Sequence, residues 1–123
     1  MKQATLERWA AHEIAMALAA FPLDIREAVN QCMVSFEETP GREPDDAELS
    51  SDDLGVFEGA SLLESGDGDF SSMPRVRIFL RNIWEWVEQD EMAFREEVRV
   101  TYLHEIGHFL GWDEEDVEAR GLG

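Results

Sequence analysis

The chain has 123 residues and a formal net charge of −18, from 28 acidic residues against 10 basic ones. That balance argues against nucleic acid as a partner, because phosphate binding needs clustered Lys and Arg, and it equally disfavours an anionic membrane surface. An apolar share of 44% suits one globular domain over residues 1–123, and Cys32, the single cysteine, allows neither a disulfide framework nor a cysteine-ligated zinc.

Cys32 stands beside Met33 and Val34 and reads as a small buried hydrophobe in a reducing compartment. No stretch approaches the roughly 20 apolar residues that span a bilayer. The opening "MKQATLERWAAHEIAMALAAFP" resembles a signal peptide only at a glance. Glu7, Arg8, His12 and Glu13 interrupt any apolar run, and helical spacing accounts for the pattern better. The expectation is a cytoplasmic protein whose charge serves solubility or attracts basic or unfolded polypeptides.

Thr5 is the expected N-cap of a first helix over residues 6–20, with Leu6, Trp9, Ile14 (or Ala10 and Ala17) and residues 16–21 on its apolar side and Pro22 ending it. A short helix or turn over 24–30 leads into "CMVSFEE", a strand. "TPGREPDDAELSSDD" reads as an acidic loop without regular structure. "LGVFEGASLLE" is a strand or hairpin element with Gly55 and Gly59 at its bends. "SGDGDFSSMP" is a second polar loop, and it lacks the alternating acids and terminal Glu of a calcium loop. "RVRIFLR" alternates as a strand does, with Val76, Ile78 and Leu80 on one face and Arg75, Arg77 and Phe79 on the other. "NIWEWVEQ" predicts a short helical piece, and a long helix follows over 90–111. From Val98 onward that helix is apolar nearly all round, which predicts burial and leaves its two histidines to be explained.

Those histidines belong to "HEIGH". His104 and His108 are i, i+4, so both imidazoles leave one helix face a turn apart and can offer two nitrogens to one zinc. Glu105 can reach a metal-bound water as general base without being a ligand. "HEIAM" at His12 begins in the same way but has Met16 where the second His should be, so His-Glu alone carries no information. Gly111 lets the chain leave the helix, and Glu114 then stands at the eleventh position of H-E-x-x-H-x-x-G-x-x-E, as a candidate third ligand. Asp113 is the alternative, and a more distant ligand or none is also open. The acidic cluster around Glu114 equally suits the N-terminus of a short final helix.

In order along the chain, "FPLDIREAVNQCMVSFEETP", "DLGVFEGASL", "RVRIFLRNI" and "HEIGHFLGWDEEDVEARGL" resemble the minimal zincin family, very small zinc metallopeptidases. The resemblance covers most of the chain from Phe21 onward. It implies an α+β zincin-like fold, with an N-terminal helix and a small mixed β-sheet packed on a buried C-terminal active-site helix. It also implies zinc held by His104 and His108, Glu105 as base, and an acidic third ligand after the glycine. The family usually has Asp where this chain has Glu114, which keeps Asp113 open.

The function expected is hydrolysis of peptide bonds in a peptide or protein substrate. The site shows no obvious donor for the oxyanion, since Tyr102 should point away from His104, so turnover should be weak. Substrate is expected to lie extended along "GVFEGASLL" as an edge strand. Trp84, Trp86 and Trp112 suit core packing better than the cleft. A zinc-containing binding module without turnover is the competing reading, and it has no need of Glu105. A metal-free acidic interaction domain would instead require both histidines to be buried and paired with carboxylates. The ligand set also accepts other divalent ions.

Overall fold

The computed structural model describes residues 1–62 and 73–112. Among these residues four helices and three strands follow one another as α1 (Gln3–Ala20), α2 (Leu23–Val29), β1 (Met33–Glu37), a 3-10 turn (Pro44–Glu48), β2 (Gly55–Glu58), β3 (Arg75–Phe79), α3 (Leu80–Trp86) and α4 (Glu91–Leu110). The sheet order is β1-β3-β2. β3 pairs in parallel with β1 and antiparallel with β2, so the sheet is mixed and the fold is α+β as expected.

α1 starts three residues earlier than the sequence suggests. Lys2 stands at its N-cap, and the Lys2 carbonyl accepts from the N–H groups of Thr5 and Leu6, so Thr5 lies inside the first turn. The buried stripe is Leu6, Ala10, Ile14 and Ala17, spaced by one helical turn. Met16, placed by its sequence on the apolar side, falls outside that stripe and is exposed. Trp9 flanks the stripe and packs against Trp84 and Phe94, with ring centroids 5.9 and 6.0 Å apart.

The alternation in β3 sorts its side chains as predicted. Val76 and Ile78 are fully buried in the core between sheet and helices, together with the buried residues of α1 and α4. Arg77 points to the other face and is fully buried there as well. Its guanidinium donates to both carboxylate oxygens of Glu37 (2.7 and 2.8 Å), both of Asp46 (2.7 and 2.8 Å) and one of Glu58 (2.9 Å). A planar fork with five donors meets paired carboxylate oxygens on several sides, which no lysine can do.

This network corrects the expectation that residues 39–53 have no regular structure. Asp46 anchors the 3-10 turn by accepting from the backbone N–H groups of Gly41 (2.8 Å) and Glu43 (3.2 Å) while it binds Arg77. The acidic segment is thereby folded onto the sheet, and its charge is used to neutralise a buried cation. Arg75 extends the cluster to Glu43 and Glu58.

α4 ends at Gly111 as expected, and its start is capped by Asp90. Asp90 Oδ1 accepts from the Ala93 N–H at 2.9 Å. At the other end Gly111 takes φ +77°, and the N–H groups of Gly111 and Trp112 close on the carbonyls of His108 and Gly107. Burial all round is not what α4 shows. From Val98 to Leu110 the exposed residues are Val100, His104 and His108, spaced by one turn, so both histidines lie on one exposed line of an otherwise largely buried stretch.

Candidate metal centre

Two neighbouring residues of α4 differ sharply in environment because β2 crosses the helix there. The His108 side chain is 52% exposed, whereas that of Glu105 is 13% exposed. The His104 and His108 rings stand edge to face with centroids 5.1 Å apart, and His108 Nε2 is 3.8 Å from Glu105 Oε1.

β2 is held against the helix by two contacts. Phe57 packs on Phe109, with ring centroids 6.0 Å apart. At Gly55 a Cβ would meet Thr101 Cγ2 at 2.7 Å and the Arg77 carbonyl at 3.2 Å, so only glycine allows this approach. The Gly55 position corrects a prediction: it is a strand residue chosen for space, whereas Gly59, at φ +101°, is a true bend at the end of β2. The same close approach brings Glu105 Cγ to 3.8 Å from the Gly55 Cβ position.

Glu105 is thus partly shielded by backbone. Burial pushes its carboxyl above the usual range, opposed by the charge of His104 and reinforced by that of Asp53. Shallow depressions open on either side of it. One, of about 250 Å³, lies beside Leu54, Gly55 and His104; the other, of about 300 Å³, lies beside Val56, Phe57 and His108. Glu105 lines both, so it stands between them under β2.

A metal ion fits these donors. One ligand atom from each of His104, Glu105 and His108 lies within 4.8 Å of the others, and no other group of three such residues does so among the described residues. Two zinc donors at about 2.0–2.1 Å from the ion stand about 3.4 Å apart, so the imidazole nitrogens of His104 and His108, within 4.8 Å of each other, can serve one ion with Glu105 beside it. Imidazole nitrogens beside carboxylates are ordinary zinc donors, and both histidines face solvent, from which an ion arrives.

The family model of zincin-like metallopeptidases matches residues 29–123. The chain belongs to that family. Its members typically bind zinc, and the match bears out the resemblance and the zincin-like α+β fold expected from the sequence motifs. No curated protein matches the chain.

Other residues singled out from the sequence fall in several places. Glu114 and Asp113, the candidate third ligands, lie outside the described residues, as does the "SGDGDFSS" segment. Tyr102 is buried in the core, as its helical position predicts. His12 is exposed on α1, and with Met16 also exposed the "HEIAM" decoy forms no site. Trp84 is a core residue, and Trp112 packs partly buried against the core. Trp86 is neither in the core nor at the histidines: it is 69% exposed. Two determinants were missed. Gly55 opposite Thr101 sets the spacing of β2 and α4, and the Arg77 network fixes β2 through Glu58. A glycine two residues before an aromatic, and an arginine among apolar residues, were the only local signs of either.

Proposed function

We propose that the chain is a zinc-dependent peptidase that hydrolyses peptide bonds, with His104 and His108 as metal ligands and Glu105 as general base. Glu114 is the proposed third ligand and Asp113 the alternative. The observation that carries this reading is the position of Glu105, partly buried under β2 between two open depressions and beside both imidazoles. A merely structural metal site has no use for a shielded carboxylate next to its ligands.

When bound, zinc supplies Lewis-acid activation of a water molecule and stabilises charge on the scissile carbonyl. Glu105 takes the proton of the attacking water and later delivers it to the leaving amine. β2 provides the place for the substrate backbone. Among the described residues its outer edge has no partner strand, so an extended peptide can pair there and pass Glu105. Turnover is expected to be modest, because the one tyrosine is buried and the one further histidine is exposed on α1, leaving the site without such a donor for the oxyanion.

Incubation of zinc-loaded protein with a mixed peptide library, read by mass spectrometry, tests the proposal. New termini are expected with the wild type, and about 10²- to 10⁴-fold fewer with Glu105→Gln. Bound zinc with no cleavage above that variant would replace the peptidase with a zinc-containing binding module.

A further inference from the structure

A larger groove, of about 570 Å³, lies between residues 51–54, which lead into β2, and Asn82, Glu85 and Trp86 of α3. Leu54 lines both this groove and the depression beside His104, so the two are contiguous. Asn82 Nδ2 donates to the carbonyls of Ser51 (2.9 Å) and Asp53 (2.8 Å), which ties the walls together before any ligand arrives.

Two features of the groove have no packing role. Trp86 exposes its indole, while Trp84 on the same helix is buried against Trp9 and Phe94. Asp52, Asp53 and Glu85 line the groove without an arginine or lysine partner among the described residues. Their bonds are to neutral donors: the Ser50 hydroxyl, the Ser50 N–H and the Gln89 amide respectively. The acids on the outer face of the sheet differ, since Glu37, Glu43, Asp46 and Glu58 are each ion-paired with Arg75 or Arg77. Charge in the Trp86 groove is therefore uncompensated. An exposed indole in a groove lined by three such carboxylates matches a lysine ammonium or an arginine guanidinium, and repels an anion.

We propose that the Trp86 groove is a specificity subsite that takes a Lys or Arg side chain of the peptide substrate, at one end of the path along β2. The proposal rests on the peptidase reading of the His104–Glu105–His108 site. Alternate side chains of an extended peptide point the same way, so one basic residue can enter the groove while the backbone passes Glu105.

The test uses ten-residue Ala/Ser/Gly peptides carrying one lysine walked through the sequence, with norleucine at the same position as control. Binding to the zinc-loaded full chain is read by fluorescence anisotropy, and the cleaved bond by mass spectrometry. Lysine at one fixed distance from the cleaved bond is expected to tighten binding, and Trp86→Ala to weaken the lysine peptide about 3- to 10-fold while sparing the norleucine one. Asp52→Asn with Glu85→Gln should flatten the salt dependence of the lysine preference. Equal binding of lysine and norleucine peptides would overturn the proposal. So would a lysine preference that survives both sets of substitutions, since the net charge alone would then explain it. Groove-dependent binding without cleavage would contradict the peptidase reading and keep the cation preference; cleavage indifferent to lysine would do the reverse.

Discussion

At Gly55 a hydrogen atom occupies space that a methyl group would contest with Thr101 Cγ2, and Glu105 lies just beyond. Gly55→Ala is therefore expected to push β2 off α4. A loss of about 1–3 kcal/mol in urea unfolding is the outcome for overpacking of this kind, with cleavage falling further than stability because the shield over Glu105 opens. Thr101→Ser removes the opposing methyl, and the double variant should recover part of both losses. An undiminished activity in Gly55→Ala would show that the approach of β2 does not matter to the site. His104, Glu105 and His108 were legible because their relation is local, fixed by the helical repeat. The Gly55–Thr101 contact joins residues far apart in the chain, and no window of sequence contains both.

Among the elements, β3 and α4 were the most legible. β3 announces itself by alternation, and α4 by Gly111 at its end together with its apolar run. What α4 did not disclose is which line of it stays open, because that depends on where β2 and α1 lie. The 3-10 turn at Pro44–Glu48 was illegible for a similar reason: its acids look like a solvated loop until Arg77 of β3 is placed beneath them. Hydrogen bonding to Arg77 holds the carboxyls of Glu37 and Asp46 below their ordinary range. A carboxyl depressed in the folded state contributes stability above its unfolded value, 4.5 for Glu and 3.8 for Asp, and loses it as pH falls towards the folded value. Arg77→Met leaves several carboxylates facing one another without their cation, and should destabilise the fold by about 3–5 kcal/mol near neutral pH. The gap to the wild type should begin to narrow as pH drops below about 4.5, where the unfolded wild type takes up protons that its folded Arg77 pairs still exclude and the stranded acids of the variant become neutral. Denaturant midpoints of the two proteins at pH 7 and pH 3.5 check the sign, and a gap that widens on acidification would refute it.

For the whole molecule, α4 is the shared support, packed against α1, α2, α3, β2 and β3. The candidate metal donors therefore project from the best-braced helix, and β2, the proposed substrate edge, is braced separately through Glu58 and Arg77. No helix among the described residues is long and apolar enough to cross a membrane. A net charge of −18 surrounds the site with a field that favours cations, whether a metal ion or a basic side chain. A mixed sheet was expected from the family resemblance, but the strand order β1-β3-β2 was beyond the reach of single-sequence patterns, since it depends on how strands separated by loops find one another. Membership of the zincin-like metallopeptidases was within reach, because its motifs are spread along most of the chain. The central claim is that this helix holds a metal through its two exposed histidines. Elemental analysis of the zinc-supplied and desalted protein, wild type beside His108→Ala, tests it most directly. One zinc per wild-type chain and a large loss in the variant is the predicted result; equal zinc in both, or none in either, would contradict it.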